Sequence, residues 1–298
     1  NRQQLYATGT TSDPRGSFWE DRIISRQLNS EVQAFYNFNI GQDFTFKGIV
    51  GLNNNERKRS SLFTDANQLL VPDFFVVGNA EAVTNDINRT IRRLTGLYGD
   101  LGIGYRDFAF LNIAVRNDWS STLPPENNSY LYPAISGSVV LTEALNIASP
   151  VLTYIKLRGN FAEVGNDADP HLLDFVYIPV TDIDQIFGVD NAYPFNGVLG
   201  YQGTDFIPPL NLKPERTRSW EVGADVQLFD GRIGLDVTYY EATTRDLITR
   251  ITVPITSGYS ARTLNAGDIE NKGIEALLTL TPVQTPSLRW DMTFNYTR

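Results

Sequence analysis

The chain has 298 residues, a formal net charge of −9 and no cysteine. Disulfide frameworks and cysteine-based zinc sites are therefore excluded, and the acidic balance argues against a nucleic-acid partner, which calls for a basic patch. Mean hydropathy is −0.22 and no apolar run approaches the roughly 20 residues a membrane helix needs, but a β-barrel stays open because its strands alternate lipid-facing and lumen-facing residues.

Alternation with period 2 dominates the chain. From Leu28 to Ile40 the even positions run Leu, Ser, Val, Ala, Tyr, Phe, Ile, and the odd ones hold Asn29, Glu31, Gln33, Phe35, Asn37 and Asn39. A Gly41-Gln42-Asp43 turn leads into Phe44, Phe46, Gly48, Val50 and Leu52, which predicts a hairpin with long arms. Residues 91–105 place Ile91, Leu97, Leu101, Ile103 and Tyr105 opposite Arg92, Tyr98 and Asp100. After Arg106-Asp107, the run to Trp119 sets Ala109, Leu111, Ile113 and Val115 against Asn112, Arg116 and Asp118. Less regular runs cover 131–142 and 151–164. Then Trp220, Val222, Ala224, Val226 and Leu228 oppose Glu221, Asp225 and Gln227, and after Asp230-Gly231 come Ile233, Leu235, Val237 and Tyr239. In 273–281 Ile274, Ala276, Leu278 and Leu280 share a face, and Leu288, Trp290, Met292, Phe294 and Tyr296 close the series.

This pattern predicts about ten strands, most of roughly 10 to 16 residues, against about 5–6 in an ordinary sheet. Short turns at 41–43, 106–107, 230–231 and 283–287 alternate with long segments at 53–88, 165–215 and 248–268, which are expected to be extracellular loops. The polar faces hold Asp100, Arg116, Lys156, Arg158, Glu221, Asp225, Asp236, Glu275 and Asp291, and unpaired buried charges are costly, so this face must be wet. In a soluble sandwich it would look outward; in a large barrel it lines the lumen and the apolar face meets lipid. Strand length, loop asymmetry and aromatics near strand ends, such as Phe44, Tyr105, Trp220 and Tyr239, favour an all-β antiparallel transmembrane barrel. The alternative is a secreted soluble β-rich carbohydrate-binding or adhesion module, which unlike the barrel would stay dispersed without detergent.

Several stretches carry a family resemblance. Leu212-Lys213-Pro214-Glu215 with Trp220-Glu221-Val222-Gly223 resembles the LKPE…WE-G segment of TonB-dependent outer-membrane transporters. Asn265-Ala266-Gly267 through Asn271-Lys272-Gly273-Ile274-Glu275 resembles the NAG-IENKGIE motif of their SusC-like branch in Bacteroidetes. Arg116 through Asp118-Trp119-Ser120-Ser121-Thr122-Leu123-Pro124, Tyr132-Pro133, and Lys156-Leu157-Arg158 through Val164-Gly165-Asn166-Asp167 resemble further motifs of that branch, in the same order. The resemblance implies part of a barrel of about 22 strands with a plugged lumen in the bacterial outer membrane. It also implies a SusD-like surface lipoprotein as lid, TonB as energy source acting through a missing N-terminal part, and oligosaccharide or peptide substrates. Residues 1–298 would then be an internal piece lacking the plug domain and the last strands, from a native polypeptide far heavier than 33.4 kDa.

No catalytic constellation stands out, and the chain is not expected to be an enzyme. His171 is the only histidine, so His-based triads and multi-His metal sites are unavailable. No cofactor is expected, although the aspartates of the acidic loop 165–190 are oxygen ligands of the kind that hold Ca²⁺. Tyr177, Phe187, Tyr193, Phe195 and Tyr201, interleaved with Asn and Asp, are candidate ligand contacts, since aromatic platforms beside amides and carboxylates suit sugars or peptides. The motif residues Asp118, Trp119, Leu212, Lys213, Pro214, Glu215, Asn271, Lys272, Gly273 and Glu275 are expected to be structural, with Pro214 pre-setting a loop-to-strand transition and Gly273 marking a bend.

Overall fold

The computed structural model describes residues 2–6, 15–174, 177–180, 184–186, 189–191 and 198–298. Its first half comprises β1 (Arg2–Tyr6), β2 (Ser17–Ile40), β3 (Phe44–Leu69), β4 (Ala80–Tyr105), β5 (Ala109–Ser120), β6 (Ser129–Val140), the short helix α1 (Leu141–Ala144) and β7 (Leu152–Asn166). Five short strands follow: β8 (Tyr177–Val180), β9 (Asp184–Ile186), β10 (Val189–Asn191), β11 (Gly200–Gly203) and β12 (Phe206–Ile207). Then come β13 (Glu215–Leu228), β14 (Ile233–Arg245), β15 (Ile248–Thr252), β16 (Ala261–Asn265), β17 (Ile269–Gln284) and β18 (Arg289–Thr297). Eleven of them form one sheet in the order β1-β2-β3-β4-β5-β6-β7-β13-β14-β17-β18, a chain-order meander whose detours hold the short strands. No helix among the described residues is long and apolar enough to cross a membrane.

Two compact units divide the chain. One comprises residues 1–30 and 54–94. Its core is Phe18, Ala66 and Leu69 with Phe75 and Ala80 packed against them, and the Phe18 and Phe75 rings meet edge to face at 6.2 Å. Glu56 accepts from Arg93 at 2.7 Å and pairs with Lys58 at 2.6 Å.

This unit corrects one expectation. The segment 53–88 is mostly strand rather than a long loop: β3 runs on to Leu69 and β4 starts at Ala80, leaving a short connection that holds a single 3₁₀ turn, Val77–Asn79. At 24 to 26 residues, β2, β3 and β4 extend about 80 Å at ~3.3 Å per residue, more than twice a ~30 Å hydrocarbon layer. The sequence Asn53 to Ser61 is wholly polar; where no lipid imposes alternation, backbone pairing alone holds strands together, so the pattern disappears although the ladder continues. Segments 165–215 and 248–268 likewise carry short strands, β8–β12 and β15–β16.

The other unit comprises residues 31–53 and 95–298. Its registers set the side chains in rows. On one face Leu111, Gly137, Gly159, Val222, Tyr239 and Ile274 lie side by side. The next such row is Ala109, Val139, Leu157, Ala224, Val237, Ala276 and Tyr296. Among the described residues no protein layer covers these apolar side chains: Val222 is 51% exposed, Leu157 45%, Ile274 44% and Phe294 49%. An apolar surface this broad marks an interaction site, and its rows match the outward band of a membrane barrel. The opposite face carries Asn112, Ser136, Asn160 and Glu221 in one row and Phe110, Ser138, Arg158, Gly223, Thr238 and Glu275 in the next.

The short connections lie at one end of the strands. At 106–107 the left-handed φ of Arg106 (46°) and Asp107 (60°) is the type I′ geometry whose twist suits a two-residue hairpin. Arg106 Nε donates to Asp43 Oδ1 at 2.8 Å and its backbone N–H donates to the Asp43 carbonyl at 2.8 Å, tying two turns together. The side-chain hydrogen bond from Arg106 holds the Asp43 carboxyl below the usual carboxylate range. A depressed acid contributes stability that is present above its unfolded value and lost as pH falls through the folded one. The Arg106 side-chain NMR signal is therefore expected to stay fixed at neutral pH and to move only below about pH 4, and Asp43→Asn should abolish the movement.

Candidate functional site

At the opposite end of the strands the motif residues converge. Asp118 is 3% exposed; it accepts from Arg116 Nε at 2.8 Å and from the Tyr132 hydroxyl. Ser120 and Thr122, both buried, donate to Asp167 Oδ2, Thr122 at 3.0 Å. The stretch after β5 is thereby fastened to the stretch after β7. Asn127 Nδ2 donates to the Leu212 carbonyl at 3.0 Å and to the side chain of Asn211. Leu212, with 0% exposure, fills a small core with Leu123, Tyr130 and Ala168, against which Tyr132, Leu172, Leu173 and Ile248 pack. Asn265 Oδ1 accepts from the Lys213 backbone at 2.9 Å, and its Nδ2 donates to the Lys213 and Asp246 carbonyls at 2.9 and 2.7 Å. Glu215 accepts from the Ile248 N–H at 2.8 Å and from Asn166 at 2.9 Å. Segments far apart in sequence thus form a hydrogen-bonded rim over a few apolar side chains.

The remaining motif residues are more dispersed. Trp119 is 41% exposed, Lys213 points to solvent and Pro214 is buried. Asn271 is exposed, and Lys272 pairs with Glu270 at 2.5 Å. Gly273 is buried because Tyr240 lies across it: a Cβ there would meet the Tyr240 hydroxyl at 2.8 Å and the Arg298 carbonyl at 2.5 Å. Glu275 lies beside Arg158, Asp236 and Thr238 on the polar face. That face also holds an open groove of about 560 Å³. Its walls include Lys47, Asn112, Lys156, Asn160 and Glu221, and its floor includes the glycines 102, 104 and 223. Arg158 Nη2 donates to Asp236 at a length of 2.5 Å and to Thr238 Oγ1 at 2.6 Å, so charge on this wall is partly paired.

Of the candidate ligand contacts, Tyr177 and Tyr201 are 67% and 61% exposed. They occupy the paired strands β8 and β11, where Tyr177 faces Gly203 and Tyr201 faces Pro179, so the two rings share a face as diagonal neighbours. Phe187, Tyr193 and Phe195 lie outside the described residues. His171 meets Asp174 at 3.1 Å, both exposed. Among the described residues no group of three His, Asp or Glu is placed to hold a metal ion. Arg116, Asn127, Tyr132, Asp167 and Asn265 are anchors that nothing in the sequence pattern marks, although all but Asn127 stand inside the quoted motifs. Their spacing shows no pattern because their partners lie on other strands.

An apolar face open to its surroundings, a polar face behind it and loops gathered at one end define the wall of an antiparallel transmembrane β-barrel. The whole chain, residues 1–298, matches the family described as TonB dependent receptor-like, beta-barrel, and it belongs to that family of the bacterial outer membrane. Relatives include TonB-dependent receptor P26 of Formosa agariphila, 26% identical over 274 residues, covering 90% of this chain and 24% of that protein. TonB-dependent receptor SusC of Bacteroides thetaiotaomicron is 27% identical over 212 residues, covering 70% of this chain and 20% of that protein. The structure of the RagAB peptide transporter superposes with a TM-score of 0.80 at 16% identity, covering 99% of this chain and 32% of that one, a likeness of fold. The chain therefore spans about a quarter of the length of the first of these relatives. The SusC-like resemblance of the motifs agrees with these matches.

Proposed function

We propose that the chain is part of an active importer of nutrients too large for passive pores, energised by TonB and working with a SusD-like surface lipoprotein that lids the mouth. Family membership across residues 1–298 supports this reading. The observation that carries it is the separation of faces: exposed apolar rows on one side, which suit lipid, and on the other a groove that carries Lys47, Lys156, Asn160 and Glu221, which suits a wet lumen. Such a wall selects by binding and performs no covalent chemistry. Oligosaccharides or peptides are the proposed cargo, and the exposed pair Tyr177 and Tyr201 at the loop end is a proposed contact, since stacking on aromatics suits both. Deleting the gene for the full polypeptide should abolish growth on one oligomeric carbon or nitrogen source while leaving growth on its monomer intact. A TonB-disrupted strain should show the same defect, and an affinity-tagged full-length protein should retain a surface lipoprotein. Unaffected growth on every oligomer supplied would refute the proposal.

A further inference from the structure

Beyond the apolar rows the same outward face becomes charged. Two and four residues before Trp220 on β13 stand Arg218 and Arg216; two, four and six after Tyr239 on β14 stand Glu241, Thr243 and Arg245. On β17, Lys272 and Glu270 precede Ile274 by two and four, and on β7 Glu163 follows Phe161 by two. The registers place Arg218 between Glu163 and Thr243, and they set Arg216 directly opposite Arg245. Like charges directly opposed across strands are destabilising, and an anion bound between them would relieve the repulsion.

The carboxylates nearby do not fill that role. Glu163 is 7% exposed and accepts from Arg216 Nη1 and from Arg218 Nε, the latter at 2.7 Å. It lies on the side of β13 away from Arg245 and serves to orient two arginine side chains that stay 39% and 55% exposed. Asp268 is 3.9 Å from Arg245, the outer limit of an ion pair, with both side chains 62% exposed. Glu270 is engaged by Lys272 at 2.5 Å, and Glu241 faces Lys272 in register.

Depth decides what the anion is. At about 3.4 Å per residue, Arg218 and Arg216 stand about 7 and 14 Å along the strand from Trp220. Tryptophans at the edge of an apolar belt sit at headgroup level, so the arginines reach the zone of lipid phosphates on the loop-bearing side. The guanidinium fork matches phosphate bidentately. We infer that Arg216, Arg218 and Arg245 form an outward-facing site for the phosphate of an outer-leaflet glycolipid headgroup. The site rests on the orientation of the two faces and is independent of the cargo.

The test uses the full-length polypeptide in detergent, with phosphorylated lipid A and its dephosphorylated form as probes and native mass spectrometry as readout. Wild type should retain the phosphorylated lipid at least about five-fold more strongly, the effect of roughly one surface cation on an anionic lipid. Arg245→Gln, a change at an exposed side chain with one loose ion pair, should remove most of this preference while heat-modifiable migration of the barrel is kept. Asp268→Asn should preserve or strengthen it. Equal retention of both lipids by wild type, or an undiminished preference in Arg245→Gln, would overturn the site. Displacement of the lipid by equimolar inorganic phosphate would overturn the assignment to a headgroup.

Discussion

Val237→Arg is expected to destabilise the folded barrel in lipid by about 2–4 kcal/mol, the cost of arginine on the lipid face at the bilayer midplane. Val237 lies in the row with Ala224 and Ala276. On β14 that row is four residues from Ile233 at the short-turn end and four from Glu241, where charge begins. An arginine there can neither pair nor reach water without distorting the bilayer. Two further substitutions locate the cause. Thr243→Arg is on the same face but beyond the aromatic level, in register between Arg218 and Glu270, so the neighbouring charges offset one another and its cost should fall to about 0–1 kcal/mol, as near an interface. Ser136→Arg, in the polar groove, should cost less than Val237→Arg by at least about 1 kcal/mol. The measurement is reversible folding of the full-length polypeptide into lipid vesicles, followed by denaturant titration. A flat profile, with arginine costing the same at Val237 and Thr243, would mean that the apolar rows do not face lipid.

That expectation could be formed from sequence because lipid enforces alternation. Where strands cross the hydrocarbon, each second side chain must be apolar, and Val222, Ala224, Val226 and Leu228 display this without interruption. Isolated strands do not show which face is wet, but the charges Lys156, Arg158, Glu221 and Asp225 on successive partners do, since burying them all would cost too much. Alternation vanishes where this constraint lapses. In 53–69 the run Asn53 to Ser61 is wholly polar although the chain stays extended in β3, because backbone hydrogen bonds do not depend on side-chain polarity. The rim was half legible. The motif stretches were visible as words, but their pairing was not: Ser120 and Thr122 are 47 and 45 residues from Asp167, and Asn127 is 85 from Leu212. Contacts at such separation have no period, and only the meander that brings β5, β7 and β13 to one end assembles them.

Leu212→Ala should loosen this rim by about 2–5 kcal/mol, the range for truncating a fully buried leucine. Leu212 is 0% exposed, whereas its neighbour Leu210 is 93% exposed, so the two make a matched pair within one segment. Truncating Leu212 leaves a void between Leu123, Tyr130 and Ala168 that the surrounding hydrogen bonds resist closing. Asn127 to the Leu212 carbonyl, Asn265 to Lys213 and Glu215 to Ile248 all fix the backbone on either side. A local opening cheaper by 2 kcal/mol speeds amide exchange about 30-fold when exchange follows opening. In the detergent-solubilised full-length polypeptide, amides of residues 120–130 and 167–168 should exchange at least about 30-fold faster in Leu212→Ala. Leu210→Ala should leave them within a factor of two or so, as for an exposed substitution. Val222, Val237 and Ile274, on the lipid face, should be unaffected in both, because the rim is a separate small core. If Leu212→Ala left the 120–130 amides unchanged, Leu212 would not be the side chain that holds the motif segments together.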